Sequence, residues 1–192
     1  MSTKTPTSLL TQLRNNKDEG WERLKILYGK LILYWCAQKS VPEADREDIF
    51  QNVMISVVNG FAHFEKTETG HTFRGWLRNI TQNRIADFYR NKGERPHEVP
   101  FLLDNNLEWS ATSISEEENE EEQRLLTHQV MKLIARHYEG KEKLWELLQL
   151  SIRGEITSEQ ASQELGMTPS AFRQQKSRLV HSIREEFGEL FQ

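Results

Sequence analysis

TSEQASQELGMTPSAFRQQKSRLVHSIREEF, residues 157–187, has the form of two helices separated by one turn. Thr157 or Ser158 suits the cap of the first helix, since a hydroxyl there accepts from a backbone N–H that has no intrahelical partner. Ala161 and Ser162 are small where two helices must cross closely, Leu165 reads as buried, and Gly166 takes the turn. Thr168-Pro169 opens the second helix, where proline's fixed φ and missing N–H do no harm. On that helix Phe172, Gln175, Leu179 and Ile183 share one side; Ser170, Arg173, Gln174, Ser177 and Arg178 share the other. Arg pairs bidentately with guanine, Gln with adenine, and Ser with either or with phosphate. A solvated amphipathic helix would display the same outward polarity. The capped partner helix, the turn glycine and the acid-free stretch 173–184, with Arg173, Lys176, Arg178 and Arg184, favour a DNA-binding helix-turn-helix.

Upstream, the periodicity is helical throughout and strand signals are nearly absent. Asp18 suits the cap of a helix running to about Lys39, with Trp21, Leu24, Tyr28, Leu31 and Trp35 on one stripe. Pro42 suits the first turn of a second helix, and Glu43, Asp45, Glu47 and Asp48 favour its N-terminal end. Ile49, Val53, Val57 and Phe61 form its buried face, with Phe50 and Met54 alongside. EKTETGH reads as a loop, and Thr72 as the cap of a third helix whose Phe73, Leu77, Ile80 and Phe88 face inward, ending near Lys92-Gly93. A second domain resumes at about Glu121 with Leu125, Leu126, Val130, Leu133, Ile134 and His137. Two further helices follow at 141–152 and 157–165, and a last one from Pro169 to about Phe187. The expectation is an all-α chain of two small helical domains, 1–95 and 121–192, joined by an acidic, partly disordered linker over 96–120.

Charge sharpens this division. The net charge of −4 is unevenly spread. Residues 71–95 carry six cations (Arg74, Arg78, Arg84, Arg90, Lys92, Arg95) against Asp87 and Glu94, a net of +4. Residues 99–127 carry eight acids (Asp104, Glu108, Glu116–Glu118, Glu120–Glu122) against Arg124, a net of −7. Two basic stretches flanking an acidic one suggest nucleic acid as the partner. The acidic run can compete for both basic surfaces, because exposed charges within about 10 Å interact at moderate salt.

The third helix, FRGWLRNITQNRIADFYRNKGERP, is apolar where it must pack and otherwise rich in Arg, Asn and Gln with aromatics interleaved. Arginines bind phosphate, amides read exposed base edges, and aromatics can support unstacked bases. Trp76 is either such a support or a core residue. The acidic helix before it, EADREDIFQNV, is repelled by DNA, which leaves solvation or a protein partner as its role.

Asp48–Gln51, followed by Phe73, Trp76-Leu77, Ile80, Asn83, Asp87 and Arg90, resembles the second conserved region of extracytoplasmic-function (ECF) sigma factors, in the sigma-70 family of bacterial RNA polymerase. The helix-turn-helix with its KSRLVHSIREEF ending resembles their fourth region, in the family's order and spacing. The resemblance implies a factor for promoter recognition and transcription initiation that clamps core RNA polymerase. Asp48, Gln51 and Asn52 would contact the polymerase. Arg74, Trp76, Asn79, Asn83, Arg84 and Arg90 would melt and read the −10 element as a single strand. Ser170, Arg173, Gln174, Lys176, Ser177, Arg178 and Arg184 would bind the −35 element as duplex. The linker would thread toward the RNA exit path, and an anti-sigma protein is admitted as a further partner. Met54 and Val58 stand where the family often has aromatics, Thr81 where alanine is usual and Ala161 where a larger aliphatic is common. The end of the third helix, Arg90-Asn91-Lys92, is less basic than is usual there.

Other classes are disfavoured. A dimeric helix-turn-helix regulator would need a dimerisation surface and leaves the polar third helix unexplained. A recombinase would need a positioned nucleophile on a mixed fold, and a helical scaffold would not need two basic segments. No catalytic residue, cofactor or metal site is expected: Cys36 is the only cysteine, and the six histidines lack ligand spacing. No apolar run reaches a membrane-spanning length, and MSTKTPTSLLTQLRNNK lacks the apolar core of a signal peptide, so no membrane role and a cytoplasmic location are expected.

Overall fold

The computed structural model describes residues 9–15, 18–64, 72–93 and 116–187, and the described secondary structure is helical throughout. The EKTETGH loop and most of the expected linker lie outside the described residues. In chain order the helices are α1 (Leu9–Arg14), α2 (Asp18–Gln38), α3 (Glu43–Gly60), α4 (Phe73–Asn91), α5 (Glu116–Ala135), α6 (Glu142–Ile152), α7 (Ser158–Glu164) and α8 (Pro169–Phe187). Short 3₁₀ turns at Phe61–His63 and Arg136–Tyr138 follow α3 and α5. No described helix is long and apolar enough to cross a membrane.

The central element is α2, packed against α1, α3, α4 and α5. Its Leu24, Leu27, Tyr28, Leu31, Ile32 and Trp35 are buried, as the sequence stripe predicts. Ile49, Val53 and Val57 of α3 and Leu77, Ile80 and Ile85 of α4 complete this core. One end is closed by aromatics. Phe61 lies 5.9 Å from Trp21 and 6.1 Å from Phe73 between ring centroids, and Phe64 lies 5.5 Å from Phe73, all edge to face. Such offsets place ring edges against the electron-rich faces.

Two parts of the fold depart from the sequence expectation. The short α1 was not anticipated: Leu9, Leu10 and Leu13 are buried, and a Cβ on Gly20 would stand 3.0 Å from Cβ of Gln12. The fifth helix begins at Glu116, ahead of Glu121, so the acidic run is helical and its α5 packs on α2. Leu126, Val130, Leu133 and Ile134 are buried along it, whereas His137, expected on the same stripe, is exposed in the 3₁₀ turn.

The C-terminal ends of α2, α6 and α7 are closed in the same way. Behind α7, Gly166 N–H donates to Gln163 O (3.2 Å) and Met167 N–H to Ser162 O (3.0 Å). Behind α6, Gly154 and Glu155 bond back to Ser151 and Leu150. Behind α2, Ser40 N–H donates to Ala37 O (3.0 Å) and Val41 N–H to Cys36 O (3.0 Å). This double bond pattern needs a left-handed residue at its turn. Gly154 and Gly166 supply it at φ 78° and 65°, but α2 uses Ser40 at φ 57°. A Cβ in that region is strained by roughly 1–2 kcal/mol, against a glycine entropy cost of roughly 0.5–1 kcal/mol. Ser40→Gly is therefore expected to stabilise the protein by about 0.5–1 kcal/mol. A urea melt with a raised midpoint and unchanged slope is the check.

Candidate nucleic-acid and protein interfaces

The α7–α8 pair is built as its sequence dictates. Thr157 Oγ1 accepts from Gln160 N–H (3.2 Å) while Gln160 Oε1 accepts from Thr157 N–H (2.9 Å), a reciprocal cap. Ala161 and Ser162 are buried where α8 crosses, and Phe172 and Leu179 fill the facing positions. Leu165, read as buried, is half buried as the C-terminal cap of α7. Ser170, Arg173, Gln174, Ser177, Arg178 and Arg184 are all exposed. Arg173, Lys176, Ser177 and Arg184 line one open groove with Ser158, Val180 and His181. Arg173 Nη1 pairs with Glu159 Oε1 at 2.9 Å across the two helices, with both side chains more than half exposed. An exposed pair of this kind contributes about 0–1 kcal/mol, so it leaves Arg173 available to another anion.

Lys176 borders this groove but is also held from below. Its Nζ donates to the backbone oxygen of Ser151 at 2.6 Å and to Ser151 Oγ at 3.1 Å. The lysine thereby ties α8 to the buried last turn of α6. Lys176→Ala should lower stability by about 1.5–3 kcal/mol, the range of hydrogen bonds to charged groups. It should leave the salt dependence of DNA binding unchanged, whereas loss of a phosphate-bound lysine lowers that slope by about one. Thermal melts and binding isotherms over a salt series check both parts.

On α3, Asp48, Gln51 and Asn52 are exposed. Ile55 and Val58, at 58% and 51% exposure, extend the same helical row. Sequence reasoning missed these two. The signal was the i, i+3, i+4 spacing from Asp48, which puts them opposite Val53 and Val57. The row is thus acidic and amidic at one end and apolar at the other.

On α4 the expected site residues separate. Asn83 is exposed and Asn79 half buried. Arg84 Nη1 and Arg90 Nη1 bond the two oxygens of Asp87 at 2.8 and 3.0 Å. Trp76 is 8% exposed, with its ring 5.1 Å from Phe64 and 5.6 Å from Phe73. It is a core side chain, and a Cβ on Gly60 would meet its Cζ2 at 3.2 Å. Arg74 faces α5 instead of solvent, with its side chain 13% exposed.

There a buried ionic cluster joins α2, α4 and α5. Glu122, whose side chain is 0% exposed, accepts from Trp35 Nε1 at 2.6 Å and lies 3.2 Å from Arg78 Nη1. Arg74 Nε stands 3.8 Å from its other oxygen. Arg78 Nη2 also bonds Glu118 at 3.2 Å, and Arg74 Nη2 donates to Asn119 Oδ1 at 3.0 Å. The clue in the sequence was Glu118 and Glu122, one helical turn apart and in phase with Leu126. Among the described residues no group of His, Cys, Asp or Glu gathers to hold a metal ion.

Residues 27–95, which span most of α2 and all of α3 and α4, match the family model for sigma-70 region 2. No curated protein and no solved structure matches the chain significantly. The sigma-70 family comprises promoter-recognition factors of RNA polymerase and is not an enzyme family. Over residues 27–95 the chain is thus similar to the sigma-70 family in its region 2, the part that holds the aromatic-walled core and the polar outer rows of α3 and α4.

Proposed function

We propose that the chain is an ECF-type sigma factor that directs core RNA polymerase to promoters through two separate DNA contacts. The outer row of α3, Asp48, Gln51 and Asn52 with Ile55 and Val58, takes the polymerase. Asn79 and Asn83 of α4, with Arg90 nearby, take the −10 element as a melted strand. The α7–α8 pair takes the −35 element as duplex, in a C-terminal unit distinct from region 2 and joined to it by the acidic segment. The observation that carries the reading is the exposed row Ser170, Arg173, Gln174, Ser177 and Arg178 on the second helix of a capped helix pair. That row shares one chain with a sigma-70 region 2. In helix-turn-helix proteins the N-terminal part of the second helix enters the major groove. The cell compartment follows from the partner: a polymerase factor works in the cytoplasm.

The decisive experiment is co-purification with core RNA polymerase, followed by transcription from a randomised promoter library. Selection of promoters with two separated conserved elements supports the reading; a dimer on a palindrome without polymerase overturns it. Asp48→Ala with Gln51→Ala should weaken retention of core enzyme at unchanged helical circular dichroism.

Within the C-terminal pair, Arg173→Ala should relax preference at one or two −35 positions, since a bidentate base contact contributes about 1–3 kcal/mol of discrimination. Arg184→Ala should lower affinity evenly across sequences and reduce the salt slope by about one. Binding to single-base −35 variants at several salt concentrations separates the two. A uniform loss for Arg173→Ala would make it a phosphate anchor.

A further inference from the structure

We propose that Trp35, Arg74 and Arg78 form an anion site that Glu122 fills in cis and a nucleic-acid phosphate fills in trans, making the acidic half of α5 a latch on region 2. The proposal rests on the DNA-binding reading above and adds to it a competitor within the chain.

The site is built for more anion than it holds. Two guanidinium groups and one indole N–H converge on a single buried carboxylate, with Glu118 half exposed at the rim (44%). Arg74 Nη1, Arg78 Nε and Arg78 Nη1 are buried with no hydrogen-bond partner among the described residues, three donors against one acceptor, Glu122 Oε2, in the same condition. Each guanidinium has five N–H donors in a planar fork, which matches the several oxygens of a phosphate as well as a carboxylate. Both arginines stand on α4, the helix that carries Asn79 and Asn83. They are also the first two cations of the basic stretch 71–95.

The cluster also explains why the latch needs an exchange partner. If Glu122 left with nothing in its place, two partly buried cations would remain uncompensated, which is strongly unfavourable. Arrival of a phosphate removes that barrier, so release of α5 and binding of a strand are one coupled step. The rim position of Glu118 gives an incoming phosphate a first carboxylate to displace before it reaches the buried one.

The test uses the full chain and a random-sequence single-stranded DNA, followed by fluorescence anisotropy over a salt series. Glu122→Gln keeps an acceptor for Trp35 and removes the charge. It should tighten binding about tenfold, the worth of one charge-assisted hydrogen bond, and steepen the salt slope by about one. Adding Arg78→Ala should abolish the gain. Wild-type affinity for Glu122→Gln, or a gain that survives Arg78→Ala, overturns the latch. Should Glu122→Gln lose its helical signal, Glu118→Gln at the rim must give a smaller gain that also depends on Arg78, and no gain overturns the proposal.

A distance measurement gives a second readout. Spin labels on Asn91→Cys and Glu120→Cys, both exposed, report the separation of α4 and α5. Cys36 stays unlabelled because it is buried and burial pushes its thiol up to about 11, against the pull of Arg46. The distance should lengthen on adding the DNA and stay short with inorganic phosphate. No change with DNA overturns the latch, and lengthening with inorganic phosphate alone overturns its assignment to nucleic acid. If the wild-type chain retains core polymerase and Glu122→Gln behaves as wild type, the latch fails and the sigma-factor reading stands. If the wild type binds neither polymerase nor DNA, both fall.

Discussion

A carboxylate without solvent contact has to be answered by charge and hydrogen bonds, and much of this structure is arranged around Glu122. Moving an ionised group out of water costs several kcal/mol unless partners replace the lost hydration. Here the replacements come from two other helices, the indole of Trp35 on α2 and the guanidiniums of Arg74 and Arg78 on α4. These contacts fall in the first half of α5, which begins at Glu116. They also turn the first two arginines of α4 away from solvent. A second tie lies at the other end of the chain, where Arg23 of α2 bonds Glu186 at 3.2 Å and covers the buried ring of Phe187. Both ties run through α2, which makes it the axis of the fold.

The aromatic end of the core has the complementary effect. Packing Trp76 among Phe61, Phe64 and Phe73 removes an indole from the surface of α4 and stiffens the helix beneath its polar row. Rigid support of that kind holds surface groups in place better than a loop does. The outward residues of α4 that remain are amides and ion-paired arginines. On α3 the same core leaves Ile55 and Val58 outside, so region 2 presents a partly apolar row and a polar row on adjacent helices.

Residues of one chemical type serve different ends in this chain according to what lies beneath them. Arg173 and Lys176 both border the open groove on α8, yet one pairs with Glu159 and the other reaches down to Ser151. Arg74 and Arg90 share α4, yet one enters an interhelical cluster and the other stays at the surface beside Asp87. Basic composition marks these helices as candidates for anion binding. It does not say which cations are already occupied within the fold.

By itself the sequence determined most of the helices of this protein, α1 and the acidic start of α5 excepted. Apolar residues recur at helical spacing, Thr72 and Thr157 cap, Pro42 and Pro169 stand at helix starts, and Gly166 takes the left-handed turn. All of these act within a few residues, where backbone geometry decides. The family pattern from Asp48 to Arg90 was legible for the same reason, because its spacing is that of consecutive helix faces. Tertiary structure alone decided that Trp76 is core, that Lys176 is a strut, that Ile55 and Val58 are bare, and that the acidic run is a packed helix. Each of these depends on which side chains from distant segments meet at one point. Glu122 reaches Trp35 across 87 residues of chain, and only the folded arrangement could tell a buried ion pair from a solvated charge.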